Sequence, residues 1–323
     1  MKEKLLVLGG AGFIGSHIVS QAIKEGFEVS ILEIRQPQES DLIKGAKILV
    51  KDVGVLTDDE LVKLLKGYDY AIFAAGADDR VIPKKPAYDF FKKSNIDSSV
   101  KFLKNSKKAG VKKSVVLNSY FSYFDRVMPK MNLAKFHPYI KSRVEQRQAC
   151  LAVANDEFKV IVLELPYIFG VSPGKKPLWA PLIKYVNSWP ILFFMKGGTA
   201  MVSASNVAKA AINSLKYSKE SLAIPVYTEN IEWTDWINRI LEYSGKKPKP
   251  IIFVPKILAK TGMFFLKLVH TLKGLEGGLD PVKYVDFQYI NSFITDDSCS
   301  SILKIKKESI NESLKETVKE CLK

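Results

Sequence analysis

KLLVLGGAGFIGSHIVSQAIK, residues 4–24, joins an apolar strand pattern to a helical pattern through a glycine-rich turn. The turn holds Gly9, Gly12 and Gly15. Glycines allow a tight turn and a close approach of the backbone to a pyrophosphate. The helix that follows begins with Phe13 and Ile14, and its first turn offers free N–H donors and the positive end of the helix dipole. The stretch therefore predicts a dinucleotide-binding β-α unit.

Apolar strand patterns alternate with helical patterns through the first half of the chain. The predicted strands cover residues 4–9, 27–33, 46–52, 69–76, 112–119 and 158–165, and the predicted helices cover 13–25, 58–66, 86–109 and 138–154. Such alternation is typical of parallel β-α-β units. We therefore predict an α/β fold, a Rossmann-like doubly wound parallel sheet with a smaller C-terminal α+β substrate domain.

The character of the sequence changes at Pro166, after which prolines, glycines and tryptophans cluster. We expect an NAD-binding domain over residues 1–165 and a substrate-binding region over 166–323, partly interleaved with the first. The second region is predicted to hold helices at 205–216, 232–244 and 256–272, a short strand at 223–227 and a solvent-facing terminal helix.

The composition is that of an ordinary globular protein, with 47% hydrophobic and 26% charged residues. The apolar start LLVLGG (5–10) is better explained by a buried strand than by a signal peptide, and we expect no transmembrane helix. The chain has three widely spaced cysteines, Cys150, Cys299 and Cys321. Their spacing suits neither disulfides nor a metal site and indicates a reducing compartment, so we predict a cytoplasmic protein without a metal.

The net charge of +15 raises the question of a nucleic-acid or membrane partner. Only six of the 49 basic residues are arginines, and the lysines are spread along the chain. A nucleic-acid site would concentrate charge and favour arginine. We expect no nucleic-acid partner, and a weak affinity for membrane surfaces stays open.

Carboxylates at predicted strand ends indicate the cofactor. Glu33 closes the second strand, 18 residues after Gly15, where it would accept hydrogen bonds from the adenosine ribose. A carboxylate there repels a 2′-phosphate, so NAD is favoured over NADP, although Arg35 nearby would soften the discrimination. Asp52, followed by Val53, would accept from the adenine amino group. The fourth strand ends with small side chains that leave room for a ligand, namely Ala74, Ala75 and Gly76.

The stretch HPYIKSR (137–143) contains the candidate catalytic tyrosine. Residues i and i+4 share a helix face, so Arg143 is predicted to lie beside Tyr139, while Lys141 points away. A fixed cation favours phenolate and lowers the pKa of the tyrosine, which would make it a better proton donor and acceptor near neutral pH. Ser119, at the end of the fifth predicted strand, would hydrogen-bond the same substrate oxygen. His137 is a second candidate acid or base, but a place at the start of the helix explains it better.

Together these segments resemble the extended short-chain dehydrogenase/reductase family, which includes NAD-dependent sugar epimerases and dehydratases and 3β-hydroxysteroid dehydrogenase-like enzymes. GGAGFIG resembles the family's nucleotide loop, and NSYFSYF (118–124) its serine segment. The resemblance implies catalytic roles for Ser119 and Tyr139 and places Asn95 at the family's helix asparagine. ELPYIFG (164–170) is similar to the family's strand exit, which implies that Pro166 contacts the cofactor. We also expect a homodimer.

The chain departs from the family pattern at several positions. Arg143 stands where the family has lysine, Asn118 replaces a serine and Leu165 replaces an arginine. An arginine at 143 keeps the positive charge and the reach to the nicotinamide ribose, but it cannot relay a proton. Nucleotide-sugar enzymes of the family commonly carry an arginine around residues 199–206, and this chain has none there.

Three functions fit these observations. The first is an NAD-dependent oxidoreductase that transfers a hydride between the nicotinamide and a hydroxyl or carbonyl of a largely apolar small molecule. The second is an NAD-dependent sugar-nucleotide epimerase or dehydratase, and the third is a non-catalytic NAD-binding sensor. The apolar stretch 177–198 favours the first. The segment 255–274 mixes apolar residues with lysines, which suits a helix packed on the protein better than one lying on a membrane.

Overall fold

The computed structural model describes residues 2–323. The strands, in chain order, are β1 (Lys4–Leu8), β2 (Glu28–Glu33), β3 (Lys47–Val50), β4 (Tyr70–Phe73), β5 (Lys113–Ser119), β6 (Lys159–Leu165), β7 (Tyr167–Phe169), β8 (Leu192–Phe194), β9 (Gly198–Ser203), β10 (Leu222–Pro225), β11 (Glu229–Glu232), β12 (Ile251–Phe253) and β13 (Asn291–Ser292).

The helices are α1 (Phe13–Lys24), α2 (Asp58–Leu65), α3 (Ala87–Phe91), α4 (Ser98–Lys108), α5 (Phe121–Val127), α6 (Leu133–Phe136), α7 (Pro138–Val153), α8 (Ala180–Ser188), α9 (Ala204–Tyr217), α10 (Trp233–Tyr243), α11 (Lys256–Leu272), α12 (Pro281–Gln288), α13 (Ser298–Ser301) and α14 (Asn311–Leu322). A π-helical segment, Lys92–Asp97, joins α3 to α4.

Seven parallel strands form the main sheet, in the order β10-β6-β5-β4-β1-β2-β3. Strand order reverses between β1 and β4, which creates a crevice at their carboxyl ends. Helices α1 and α9 cover one face of the sheet, and α2, α4 and α7 cover the other. The predicted doubly wound Rossmann-like fold is confirmed. All six predicted strands of the first half are present within a few residues of their expected bounds.

The second half of the chain contributes to this sheet and also builds a layer of its own. Its strand β10 extends the main sheet beside β6, with Leu222 opposite Ile161. A smaller sheet is centred on β9, which pairs with β7, β11 and β13. Beside it lies an apolar core in which Trp233 and Trp236 are almost fully buried.

The terminal helix α14 is not solvent-facing, so that expectation is wrong. Leu314 and Val318, one turn apart, are fully buried in the second core. The Thr317 hydroxyl accepts a hydrogen bond from the Gly170 N–H at 2.9 Å. The reason is amphipathicity: the lysines and glutamates of this segment occupy only one face, and the opposite face packs.

Helix α11 packs along α12, as expected of a helix that packs on the protein. It does so without burying any of its residues. None of the helices in residues 2–323 is both long and apolar enough to cross a membrane.

Candidate active site

A cleft of about 620 Å³ opens at the carboxyl ends of β1, β4, β5 and β6. That size suits a small-molecule site. Its walls bring together most of the residues predicted from the sequence, namely Gly12, Phe13, Ile14, Ala74, Ala75, Gly76, Ser119, Tyr139, Arg143 and Pro166.

The glycine turn is built so that side chains are excluded from it. Gly9 has a φ of 81°, and a Cβ there would lie 2.7 Å from the Ala74 carbonyl oxygen. A Cβ on Gly15 would lie 2.0 Å from the Gly9 carbonyl oxygen. Gly12 stands at the start of α1 and lines the cleft. Gly9 and Gly15 therefore hold the turn together, and Gly12 leaves the helix N-terminus accessible.

A second cleft, of about 530 Å³, continues from Gly12 past Glu33 and Arg35. Glu33 Oε1 accepts a hydrogen bond from the Ala11 N–H at 2.6 Å, so the carboxylate is fixed against the glycine turn. Lys175 reaches across from the second half and donates to the Ala11 carbonyl oxygen at 2.5 Å. This lysine was missed in the sequence because nothing local marks a loop residue that arrives from the other half of the chain.

Asp52 and Val53 lie beyond the end of β3 and outside the linings of both clefts. Asp52 Oδ1 accepts a hydrogen bond from the Gly54 N–H at 2.8 Å, and Val53 is buried. Their contact with adenine stays a prediction.

Asn95 lies behind the cleft in the π-helical segment and is fully buried. Its Oδ1 accepts a hydrogen bond from the Ala77 N–H at 2.9 Å, and its Nδ2 donates to Ser142 Oγ at 3.3 Å. A Cβ on Gly76 would lie 2.6 Å from Asn95 Oδ1, so the loop after β4 passes close against the amide. Asn95 does not line the cleft, and its catalytic role stays a prediction.

Ser119 ends β5 and Tyr139 lies in the first turn of α7, and both are buried at the cleft wall. The Arg143 guanidinium lies over the Tyr139 ring, 5.0 Å from its centroid. Burial raises the pKa of Tyr139, while Arg143 and the Ser119 hydroxyl act in the opposite direction. The expected lowering of this pKa is therefore wrong for the protein alone, since the cost of burying a phenolate exceeds the effect of one cation.

Arg143 is held by two hydrogen bonds. Nη1 donates to Gln146 Oε1 at 2.9 Å and Nη2 to the Ala77 carbonyl oxygen at 3.0 Å. Asn118 Nδ2 donates to the Arg143 carbonyl oxygen at 3.0 Å and to Gln146 Oε1 at 3.1 Å. Within residues 2–323, Arg143 Nε is buried without an acceptor.

Lys141 and His137 take other roles. Lys141 points away from the cleft and lies over the Tyr88 ring, 4.2 Å from its centroid. His137 is the N-cap residue of α7, and its Nδ1 accepts a hydrogen bond from the Asp280 N–H at 2.9 Å. Burial lowers the pKa of His137 to about 4, so its imidazole is neutral at physiological pH.

Sequence reasoning missed a carboxylate and three tyrosines at the cleft. Asp79 lines it directly after β4, and burial raises the pKa of this residue. Its neighbour Asp78 pairs with Arg80 instead. Tyr120, Tyr167 and Tyr284 are further lining residues, and burial raises the pKa of each. The run Asp78-Asp79-Arg80 beside a strand end was a usable signal, whereas Tyr284 comes from α12 and has none.

A family model described as NAD(P)H-binding matches residues 9–168, the part of the chain that holds the glycine turn, Ser119, Tyr139 and Arg143. Residues 9–168 thus match an NAD(P)H-binding family, and the curated relatives of the chain are epimerases and dehydrogenases of the extended short-chain dehydrogenase/reductase type.

Among its curated relatives, a UDP-glucose 4-epimerase of Cyamopsis tetragonoloba is 28% identical over 182 residues, which cover 50% of this chain and 50% of the relative. The human sterol-4-alpha-carboxylate 3-dehydrogenase, decarboxylating, is 23% identical over 208 residues, which cover 62% of this chain and 53% of the relative. The chain thus spans about half the length of these family members.

Solved structures of the family share the whole fold. A UDP-N-acetylglucosamine 4-epimerase from Methanobrevibacter ruminantium M1 superposes with a TM-score of 0.72 at 19% identity, covering 100% of this chain and 99% of that one. MoeE5 in complex with UDP-glucose and NAD gives a TM-score of 0.69 at 18% identity, covering 98% of each chain. At these identities the likeness concerns the fold alone.

The family's dinucleotide cofactor fits the residues present. The side-chain-free turn before α1 suits a pyrophosphate, and Glu33 stands where adenosine ribose hydroxyls would be accepted. Arg143 lines the same cleft and brings a fixed positive charge to it. The N-terminal half of the chain is accordingly an NAD(P)H-binding unit.

Proposed function

We propose that this protein is an NAD-dependent oxidoreductase that interconverts a hydroxyl and a carbonyl group on a largely apolar small molecule. The observation that carries the proposal is the meeting of Ser119, Tyr139 and Arg143 on one wall of the cleft that begins at the glycine turn. Bound there, NAD would accept a hydride from the carbinol carbon of the substrate.

Tyr139 donates and accepts the proton in this reaction. In the reductive direction its neutral phenol donates a proton to the developing alkoxide, and in the oxidative direction its phenolate accepts the proton of the alcohol. Ser119 holds the same substrate oxygen by a hydrogen bond. Arg143 would stabilise the phenolate and would be the residue that holds a ribose hydroxyl of the cofactor, and the buried amide of Gln146 keeps its guanidinium in place. Because the Tyr139 pKa is raised, oxidation is favoured at alkaline pH.

We propose NAD over NADP because Glu33 is fixed beside the adenosine end, where it repels a 2′-phosphate. Arg35 and Lys175 line the same cleft and weaken that preference. Asp52 and Val53 are proposed to complete the adenine end.

The walls of the cleft support an apolar substrate. Trp179, Leu178 and Phe121 form part of the lining, together with the three tyrosines. Asp79 is a half-buried carboxylate among these rings, and we propose that it hydrogen-bonds a hydroxyl or amine of the substrate. We assign cofactor binding to residues 1–165 and substrate binding mainly to residues 166–323.

The second candidate is an NAD-dependent sugar-nucleotide epimerase, which is favoured by the several relatives and structural neighbours that carry this description. The absence of arginine from residues 199–206 counts against it. The two candidates differ in whether the cofactor leaves after each turnover.

A two-step experiment separates them. The purified protein is denatured, and the NAD(H) in the supernatant is measured per mole of chain. It is also assayed for NADH formation with a panel of apolar secondary alcohols and for epimerisation of sugar nucleotides. Little retained cofactor with NADH formation supports the oxidoreductase, and retained cofactor with sugar turnover supports the epimerase. Cofactor binding with neither activity would leave a non-catalytic sensor.

We further propose a cytoplasmic homodimer that contacts membranes only at their surface. The three free cysteines agree with a reducing compartment. Analytical ultracentrifugation at several protein concentrations tests the dimer.

A further inference from the structure

Helix α11 exposes an apolar surface that no other part of the described chain covers. Its 17 residues include none that is buried. Leu258 is 60% exposed, Phe265 60% and Leu272 79%. These three positions lie seven residues apart and so fall on one face of the helix. Exposed apolar patches of this kind mark interaction sites.

The helix is amphipathic, and its lysine face is turned toward α12. Lys256 and Lys260 pair with Asp286 of α12 at 2.7 and 2.8 Å, and Lys267 pairs with Asp280 at 2.5 Å. A helix on an aqueous surface normally turns its charges outward. Salt bridges therefore fix α11 in an orientation that leaves its apolar residues outside.

The positive charge around α11 indicates which kind of partner its apolar face would bind. Between Ser244 and Leu275 the sequence contains seven lysines and no aspartate or glutamate. Three of these lysines pair with Asp280 and Asp286, and the positive charge without a carboxylate partner in residues 2–323 is that of Lys246, Lys247, Lys249 and Lys273. A second copy docking through this face would bring two such lysine sets together, and like charges in contact are unfavourable. A surface with negative headgroups and an apolar interior matches both the lysines and the apolar face.

We propose that α11 docks on the surface of an anionic lipid bilayer, with its axis parallel to the membrane and its Leu258–Phe265–Leu272 face in the acyl boundary. The helix is about 25 Å long at the usual rise per residue, enough for a stable surface contact. The strand β12 leads directly into it and exposes Ile252 and Phe253, and the paired strand β8 exposes Phe193. The proposal does not depend on the reaction in the cleft.

The test uses the whole protein and two kinds of vesicle. One is pure phosphatidylcholine and the other contains about a third of phosphatidylglycerol. We expect binding to the anionic vesicles at least about tenfold tighter than to the neutral ones, weakened by about 0.5 M salt. No binding of the unaltered protein to anionic vesicles would overturn the proposal, as would equal binding to both.

Phe265→Glu places a charge in the middle of the apolar face, and Val55→Glu is the matched control. Both positions are exposed, Phe265 by 60% and Val55 by 77%, so neither change is expected to unfold the protein. We expect Phe265→Glu to weaken vesicle binding by about tenfold or more and Val55→Glu to leave it unchanged. Equal binding by both variants would overturn the proposal.

Sedimentation without lipid tests whether a second copy of the chain covers α11 instead of a membrane. The docking proposal expects the same mass for the unaltered protein and for Phe265→Glu. A dimer that becomes a monomer on Phe265→Glu would show that a second copy covers α11, and the lipid proposal would fail.

Discussion

Helices α7 and α11 are similar in length, but they differ in which kind of side chain they bury and which they expose. Helix α7 buries polar side chains, among them Ser142, Arg143 and Gln146, and gives them partners at the cleft wall. Helix α11 exposes apolar side chains and uses its lysines to hold α12. The pattern of polar and apolar residues along a helix determines its two faces. The elements packed against the helix decide which of these faces points toward the protein.

The largest effect is expected from Tyr139→Phe, which removes the proton donor and acceptor of α7. Turnover should fall by about 10²- to 10⁴-fold, because the hydroxyl is needed for proton transfer. Affinity for NAD(H), measured by fluorescence titration, should change little, since the ring stays in place. Turnover that persists in this variant would mean that α7 is not the catalytic helix.

One truncation in each helix tests whether α7 is buried and α11 is exposed. Ile140→Ala in α7 removes a fully buried side chain and should lower the free energy of unfolding by about 2–5 kcal/mol. Leu258→Ala in α11 removes one that is 60% exposed and should change it by less than about 0.5 kcal/mol. Urea denaturation of both variants measures these changes in the free energy of unfolding. A large loss for Leu258→Ala would show that α11 is covered in solution.

Arg143→Met removes the cation over the Tyr139 ring and both of its hydrogen bonds. We expect kcat/KM to fall about 100-fold, because phenolate loses its stabilisation. Lys141→Met is the control on the same helix, and its kcat/KM should stay within about twofold of the unaltered protein, since its ammonium lies over Tyr88. Equal losses would assign the effect to the net charge of α7.

His137→Gln tests the start of α7 through pH. The folded pKa of about 4 lies below the ordinary 6.5, so the unfolded chain binds the proton first. The contribution of neutral His137 is complete above pH 6.5 and is lost as pH falls toward 4, up to roughly 3 kcal/mol. Glutamine keeps an acceptor for the Asp280 N–H and does not titrate. Urea unfolding at pH 7.5 and 4.5 should therefore show a smaller acid loss in the variant.

The smallest effect is expected from the substitution Asp79→Asn. Asp79 lines the same cleft as Tyr139 of α7. Asp79 adds to the rise of the Tyr139 pKa. Its neutral amide should move the alkaline limb of the oxidation rate to lower pH. An unchanged pH profile of kcat/KM with a raised KM would restrict Asp79 to substrate binding.

Much of the main sheet could be predicted because its strands are continuous apolar runs that end in small or polar residues. The glycine turn, Ser119 and Tyr139 follow the same logic, since strand ends and a helix start place them at one edge. The i,i+4 relation alone was enough to put Arg143 beside Tyr139.

The remaining features depend on distant parts of the chain. Strands β7, β11 and β13 are short and pair with β9 across long sequence separations, so no local pattern marks them. The Tyr139 pKa depends on total burial, which the sequence does not give. The outward face of α11 depends on Asp280 and Asp286, which lie on another helix. Lys175 and Tyr284 reach the clefts from loops and helices of the second half.

The position of β10 at the edge of the main sheet has a consequence for synthesis on the ribosome. Strand β6 is made long before β10, and translation proceeds at about 5–20 residues per second. For several seconds the nascent chain carries an apolar parallel strand with an unpaired edge. Release at residue 165 would make that state permanent, so a fragment ending there should aggregate, whereas one that extends past Pro225 can cover the β6 edge with β10.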